Sequence, residues 1–173
     1  ILNRLKDTFP NLQRVSTYAS PSNLARKSNQ ELKELFEAGL QGNVALVFGC
    51  PYRTDLLYPK YFKEMAENHD NFDYITCVSR EERRTNGSKK YVQSAIEDHK
   101  DVLGPILEKE NTLIYLCGMK GMETGIYHNL ALQGYTDYLV LSGSLPETDP
   151  NDWNWEDMKK GIKPSVRTFE EVY

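Results

Sequence analysis

Three short apolar runs, separated by helical patterns, constrain the fold of this chain most strongly. The runs are NVALVFG at 43–49, FDYITCV at 72–78 and TLIYLCG at 112–118. Each is too short for a buried helix, and continuous apolar strands are typical of a parallel sheet that is covered on both faces. We therefore predict an α/β fold, a doubly wound, Rossmann-like parallel sheet of about five strands with helices on both faces.

Helical and polar patterns fill the sequence around these strands. Helices are predicted at 29–42, 59–70, 91–110, 121–134 and 155–163. We expect Pro105 to kink or break the helix at 91–110, because proline lacks the backbone N–H that a helix interior uses. A last strand is predicted at 166–173, and the polar segments 10–30 and 141–154 are predicted to be loops or insertions.

Composition excludes several classes of protein. The 173 residues suit one domain, 1–173, and the net charge of −4 argues against a nucleic acid partner. No apolar run is long enough to span a bilayer, so we expect a soluble protein. The three cysteines form no CxxC pair, which argues against a zinc site and a disulfide scaffold. The chain begins without Met, at residues spaced as in a helix already under way, so we expect a piece of a longer protein.

Polar residues and glycines follow the predicted strands. In a parallel sheet the carboxyl ends of the strands meet at one edge, and ligands bind beyond that edge. The residues at these ends are Gly49, Cys50, Ser79, Arg80, Cys117, Gly118 and the segment 171–173. A ligand site is therefore predicted there.

The stretch SREERRTNGSKKYVQ at 79–93 has the chemistry of a phosphate site. Arg80 offers a guanidinium fork, Lys89 an ammonium group and Ser79 a hydroxyl, which suit the 2′-phosphate of an adenosine. Tyr91 offers an aromatic face for the adenine ring. These residue types together favour a phosphorylated adenosine as the ligand.

The same stretch also has an ordinary interpretation. Arg83 and Arg84 raise the local positive potential, but exposed charges are common and a solvated basic loop would show the same composition. The position after a strand, and Tyr91 two residues beyond Lys89, bring the two interpretations close to equal weight.

The segment LCGMKGMETG at 116–125 is a second candidate. Gly118 and Gly121 allow the backbone to approach a ligand closely, and the start of the following helix favours an anion. The sulfur of Cys117 would lie at the sheet edge, although a single cysteine on an apolar strand is more often part of a core. The ending FEEVY would by itself suit ordinary strand packing.

Taken together, these segments resemble one family. VFGCPYRTDLLY, VSRE, KKYVQ, CGMKGM and the final EVY occur in this order in the NADP-binding domain of plant-type ferredoxin–NADP reductases, a branch of the flavin reductase superfamily. The resemblance covers roughly 43–130 and 156–173. Flavin reductases of the cytochrome P450 reductase type share the general arrangement, but CGMKGM and the final Tyr favour the ferredoxin reductase branch.

The resemblance implies a role for each matching residue of the nucleotide site. Ser79, Arg80 and Lys89 match the residues that hold the 2′-phosphate. Tyr91 matches the ring that stacks on the adenine, and Gln93 lies at the same site. The cofactor implied is NADP(H).

Two further pairs of residues match positions that line the bound nucleotide. Gly49 and Cys50 match a loop along the path of the pyrophosphate. Gly118 and Met119 belong to the CGMKGM segment, which we also expect to contact the cofactor.

The resemblance also implies a catalytic group of three residues. Cys117 matches the cysteine beside the nicotinamide and the flavin, Glu171 the acid of the polar cluster, and Tyr173 the aromatic residue that covers the flavin and yields to nicotinamide. A free chain end would let the Tyr173 ring move. The implied activity is hydride transfer between NADP(H) and FAD, with single electrons passed to or from ferredoxin or another iron–sulfur or flavodoxin-type carrier.

Some parts of the family pattern do not occur in this sequence. We find neither the FAD-binding barrel with its Arg-x-Tyr-Ser motif nor the first strand with its GTG turn, so we expect FAD to be bound mainly by a separate domain of the same protein. The alternatives are the NADPH-binding domain of a diflavin reductase and a non-catalytic nucleotide-binding or interaction module. The expected compartment is a bacterial cytoplasm or a plastid stroma.

Overall fold

The computed structural model describes residues 42–173. The expectations for the first helix, for the loop at 10–30 and for nearly all of the helix at 29–42 lie outside the described residues. Among these residues, contacts define two units, one formed by 42–44 and 58–73 and the other by 45–57 and 74–173.

The smaller unit contains helix α1, Pro59–Asn68. Pro59 stands at the first helical position, where its missing N–H costs no hydrogen bond. Met65 is buried, and the Phe62 ring stacks on Phe72 with the ring centroids 6.3 Å apart. Because Met65 and Phe62 are three residues apart, they share the apolar face that the sequence predicts.

The first two predicted strands are confirmed within one residue. β1 spans Val44–Cys50 and β2 spans Phe72–Val78, and they pair in a two-stranded sheet. The Val44 N–H bonds to Asn71 O at the start, and the Ser79 N–H bonds to Cys50 O at the end. The two strands therefore run in the same direction, and their carboxyl ends lie together.

The third and last predicted strands form a second pair. β3, Ile114–Gly118, and β6, Thr168–Val172, are parallel, and their register places Cys117 opposite Glu171. A further pair was missed at the sequence level: β4, Leu139–Leu141, runs antiparallel to β5, Ile162–Pro164. Three-residue strands carry too short a pattern to be recognised.

The described residues thus form an α/β fold with parallel strands, in three two-stranded sheets. The prediction of one parallel sheet of about five strands is not confirmed for this part of the chain, and the β4–β5 pair is antiparallel. An apolar run indicates that a strand is buried, but it does not indicate which strand lies beside it.

The helix predicted at 91–110 is divided. A turn at Val92–Ser94 leads into α2, Ala95–Asp98, and α3 spans Lys100–Leu107. The break lies at His99, whose N–H bonds to Ala95 O and whose C=O accepts from Val102 and Leu103. Pro105 does not break the helix, because this residue lies inside α3.

Two more predicted helices are present. α4 spans Met122–Leu132 and α5 spans Trp155–Gly161. Gly134, with φ +84°, follows α4, and the Tyr135 N–H bonds to Leu130 O, as in a Schellman ending. The remaining described helical turns are Arg53–Asp55, Thr136–Tyr138, Leu145–Glu147 and Pro150–Asp152.

One hydrophobic cluster holds the larger unit together. It includes Cys77 of β2, Leu116 of β3, Leu130 of α4 and Leu139 of β4. Leu130 is completely buried. Within residues 42–173, none of the helices has the length and apolar character that a membrane crossing requires.

Candidate functional site

The carboxyl ends of β1 and β2 bring the first predicted site residues together. The Ser79 N–H donates to Cys50 O, and the Arg80 N–H donates to Pro51 O, both at 3.0 Å. The Ser79 hydroxyl lies 3.4 Å from the same Cys50 oxygen. The Cys50 thiol donates to Tyr52 O at 3.2 Å, and partial burial raises its pKa. Ser79 and Arg80 are thus fixed beside Cys50 through backbone bonds.

A tight turn carries Lys89 back toward Arg80. The Arg84 N–H bonds to Ser88 O at 2.9 Å, and Arg83 and Lys89 face each other in an isolated antiparallel bridge. Gly87, at φ +82°, allows the chain to reverse. Lys89 therefore lies opposite Arg83, which follows Arg80 by three residues.

Two arginines of this region bind other groups of the protein. Arg84 binds both Glu97 and Asp98, with Nη2 at 2.6 and 2.7 Å from their carboxylate oxygens. Arg83 donates to the backbone oxygens of Ser79 and Glu82. The sequence-based expectation that Arg84 adds free positive potential is wrong, because two carboxylates compensate its charge.

Two cations of this region, Arg80 and Lys89, have side chains without a bonding partner among the described residues. Within the described part of the chain, the side chains of Arg80 and Lys89 make no hydrogen bond or ion pair, and both residues are exposed. Lys90, the neighbour of Lys89, is instead paired with Glu82 at 3.5 Å. Arg80 and Lys89 are therefore available to an anion, and the charge of Arg83, which bonds to backbone oxygens, is likewise not neutralised by a described acid.

Tyr91 and Gln93 lie on the turn that follows. The Tyr91 ring is 43% exposed, and its C=O accepts from the Ser94 N–H at 3.1 Å and from the Ser94 hydroxyl at 2.7 Å. A Cβ placed on Gly49 would overlap Val92 Cγ1, so this glycine permits close packing of the turn on β1. The missing side chain at Gly49 thus has a packing role against Val92.

Gln93 connects this region to the second half of the site. Its side-chain carbons lie 3.4 Å from the position that a Cβ on Gly125 of α4 would take. Because α4 follows β3 directly, this contact brings the turn at Tyr91 next to the segment that begins with Cys117. The turn that carries Tyr91 and Gln93 thus packs against α4, the helix that follows β3.

The second half of the site lies at the ends of β3 and β6. Cys117 and Glu171 are register partners and both are exposed. Partial burial raises the pKa of the Cys117 thiol, and the Glu171 carboxylate raises it further. The thiol is therefore protonated near neutral pH, and it presents a neutral, polarisable sulfur.

Tyr173 extends this pairing. Its N–H donates to Gly118 O at 3.1 Å, and its carbonyl oxygen accepts from the Lys120 N–H at 3.1 Å. The Tyr173 ring is 73% exposed, and Met119 beside it is 76% exposed. The backbone of Tyr173 is thus held at two points, while its ring is exposed.

The start of α4 differs from expectation. Gly121 precedes the helix at φ +96°, and its N–H donates to the Glu123 carboxylate at 2.6 Å. An anion at this helix start would have to displace Glu123. The sequence reasoning missed this residue, although an acid in the first turn of a helix is a recognisable capping signal.

A second missed acid lies on β6. The buried Tyr127 of α4 donates to Glu170 at 2.6 Å. This bond fastens β6 to α4 one residue before Glu171. No local pattern indicates it, because the partners are 43 residues apart.

Comparisons with known proteins identify the family of this chain. Residues 28–128, more than half of the chain, match the family described as the oxidoreductase NAD-binding domain, and the chain belongs to this family. The matching relatives are ferredoxin–NADP reductases, which confirms the resemblance noted in the sequence. That of Picosynechococcus is 35% identical over 77% of this chain and 30% of its own length.

Two other relatives show the same partial coverage. The chloroplastic leaf isozyme 1 of Arabidopsis thaliana is 38% identical over 74% of this chain and 32% of its own length. The enzyme of Spirulina is 32% identical over 77% of this chain and 41% of its own length. The chain thus spans only 30–41% of the length of these relatives.

Proposed function

We propose that this chain is the NADP(H)-binding part of a flavoprotein reductase that transfers a hydride between NADP(H) and FAD. One observation carries the proposal. Arg80 and Lys89 are exposed, and their side chains form no hydrogen bond or ion pair with the described residues. The neighbouring Arg84 and Lys90 are instead neutralised by acids. A fold that leaves two cations unpaired beside an exposed ring is suited to a phosphorylated adenosine.

The donor set fits the adenosine end of NADP(H). Arg80 and Lys89 would bind the 2′-phosphate, together with the Ser79 hydroxyl, which makes only a long bond of 3.4 Å in the chain itself. The exposed face of Tyr91 would cover the adenine. Gln93 would border the same site from its position against α4. NAD(H), which lacks the phosphate, would leave two cations without a partner, so the site favours NADP(H).

The nicotinamide end would lie at β3 and β6. Gly49, Cys50, Gly118 and Met119 would line the path between the two ends. Bound NADPH supplies a hydride, and the role of the chain is to orient the ring that carries it.

Three side chains would surround the reacting ring. Cys117, protonated at neutral pH, would contact it through sulfur without forming a reactive thiolate. Glu171 would provide the polar group beside that sulfur. The exposed ring of Tyr173 would occupy the place of the nicotinamide until NADP(H) displaces it.

We also propose the surroundings of this domain. FAD would be held mainly by another domain of the full protein, and the electron acceptor would be ferredoxin or a similar iron–sulfur or flavodoxin-type carrier, in keeping with the names of the relatives. The compartment would be a bacterial cytoplasm or a plastid stroma; the Arabidopsis relative is described as chloroplastic.

The strand pairs would belong to one doubly wound parallel sheet of about five strands. The single core shared by β1, β2 and β3 supports this proposal, because Val47, Cys77 and Leu116 pack in one cluster. A crystal structure of the full-length protein tests it. In that structure β1, β2, β3 and β6 are expected in one hydrogen-bonded sheet, with the first strand of the family pattern between β1 and β3, and separate sheets would contradict the proposal.

The activity is tested with the full-length protein. We expect it to be yellow from bound flavin, and we expect anaerobic NADPH to bleach the flavin absorbance much faster than NADH at equal concentration. A colourless protein, or equal rates with both nucleotides, would contradict the proposal.

A substitution tests the role of Tyr173. In Tyr173→Ser no ring competes with nicotinamide, so NADP+ should bind more tightly and discrimination against NAD+ should fall. Difference absorbance of the flavin during titration measures both effects. If the affinity is unchanged or weaker, Tyr173 does not occupy the nicotinamide position.

A further inference from the structure

Glu82 joins three segments of the nucleotide site through one carboxylate. Its Oε1 accepts from Arg53 Nη2 at 2.8 Å, and its Oε2 lies 3.5 Å from Lys90 Nζ. The Glu82 side chain is only 18% exposed, and that of Lys90 is 22% exposed. Half-buried ion pairs of this kind are screened less by salt than exposed ones.

Each partner of Glu82 is next to a predicted ligand of NADP(H). Arg53 lies in the turn that follows β1 and Cys50. Glu82 itself follows Arg80 by two residues, and Lys90 stands between Lys89 and Tyr91. One side chain therefore sets the distance between the loop of Arg80 and the segment that carries Lys89 and Tyr91.

The pairing also determines which lysine faces an incoming phosphate. The backbone at Lys89 is bridged to Arg83 as in a strand, and successive side chains of an extended chain point to opposite sides. Because Lys90 is drawn to Glu82, Lys89 is turned away from that carboxylate. Lys89 accordingly makes no ion pair with any described residue.

We infer that Glu82 is a positioning residue for 2′-phosphate recognition. By binding Arg53 and Lys90, it holds Arg80 and Lys89 at the separation that one phosphate requires, and it determines that Lys89, not Lys90, is presented. This inference rests on the proposed NADP(H) site. Glu82 is an acid and would by itself repel a phosphate. Its net effect on phosphate binding is nevertheless favourable, because it positions the two cations.

The test uses Glu82→Gln in the full-length protein, with Glu81→Gln as a matched control. Both variants remove one negative charge from adjacent positions near the site. Glu81 contacts only the Arg53 segment, through the Arg53 N–H at 3.0 Å and Nε at 3.7 Å, so its loss leaves the bond to Lys90 intact. Dissociation constants are measured for NADP+, NAD+ and 2′-AMP.

Glu82→Gln should weaken the binding of NADP+ and 2′-AMP about fivefold, as expected for the loss of one favourable ion-pair coupling, and should leave NAD+ unchanged. Glu81→Gln should change 2′-AMP binding by less than about twofold or tighten it slightly. Equal tightening in both variants would show that Glu82 acts only as a nearby negative charge, and would overturn the inference.

A double-mutant cycle confirms the route of the effect. Lys90→Gln should also weaken 2′-AMP binding, and the double variant should be no weaker than Glu82→Gln alone, because the bond between Glu82 and Lys90 is already lost in that single variant. Additive effects would contradict the inference. Should Glu82→Gln fail to fold, Lys90→Gln removes the same bond from the other side and gives the same readout.

Arg80→Ala separates this inference from the proposed function. If Arg80→Ala leaves NADP+ binding intact, the phosphate site itself is misplaced. If Arg80→Ala weakens NADP+ but Glu82→Gln does not, the site stands and only the positioning role of Glu82 is refuted.

Discussion

Replacing Arg80 with Ala separates nucleotide recognition from stability. The Arg80 side chain has no partner among the described residues, and the backbone bond from its N–H to Pro51 O survives the substitution. We therefore expect the free energy of unfolding to change by less than about 0.5 kcal/mol. A hydrogen bond to a charged group contributes about 1.5–3 kcal/mol, so NADP+ affinity should fall roughly 10- to 150-fold.

The assay compares two nucleotides and two arginines. Flavin difference absorbance gives the dissociation constants for NADP+ and NAD+, and urea unfolding gives the stability. Arg84→Ala is the matched control, because Arg84 lies on the same turn but binds Glu97 and Asp98. It should cost about 1 kcal/mol of stability and should leave the ratio of the two affinities unchanged.

The result that refutes the reasoning is specific. If Arg80→Ala lowers the affinity for NADP+ and NAD+ equally, Arg80 does not contact the 2′-phosphate. If it instead lowers stability by more than about 1 kcal/mol, the side chain has a structural role that its exposed position does not indicate.

Gly49→Ala should destabilise the protein by about 1–3 kcal/mol in urea unfolding, because the added Cβ overlaps Val92, and Val92→Ala in the same chain should recover part of the loss. Tyr127→Phe should cost about 1 kcal/mol at neutral pH, since its acceptor is exposed. Burial and the bond to Glu170 raise the pKa of Tyr127 above the value of about 10 that tyrosine has in an unfolded chain. The stabilisation is therefore present below pH ~10 and is lost progressively at higher pH. In alkaline unfolding experiments the free energies of unfolding of the parent and the variant should therefore converge. Glu171→Gln should lower the pKa of the Cys117 thiol and speed its alkylation at pH 8, as followed by peptide mass spectrometry; an unchanged rate would show that the two groups do not interact.

Much of the fold follows from local patterns. β2 was predicted with its observed ends, and β1 and β3 to within two residues, because each is a continuous apolar run between turn residues. The β4–β5 pair was missed because each strand has only three residues, too few for a period to appear. The break at His99 was missed for a different reason: proline was weighed as the helix breaker, yet α3 accommodates Pro105.

The candidate site shows where sequence reasoning ends. The sequence indicated a basic, aromatic stretch after a strand, and the structure places Ser79 and Arg80 beside the end of β1 and Lys89 opposite Arg83. It could not indicate that Arg84 is neutralised while Lys89 is not, because that depends on acids elsewhere in the fold. The Glu82 bond to Arg53 spans 29 residues, and no local pattern records such a pairing.

Some cations of this turn are paired with acids and others are not, and this difference bears on how the proposed nucleotide preference could evolve. Since no described residue depends on the side chains of Arg80 or Lys89, a lineage could exchange both and change its coenzyme without passing through a poorly folded ancestor. Arg84 has no such freedom, because its loss would leave two carboxylates unpaired. Evolutionary changes of coenzyme should therefore be accompanied by substitutions at Arg80 and Lys89, while the position of Arg84 stays basic.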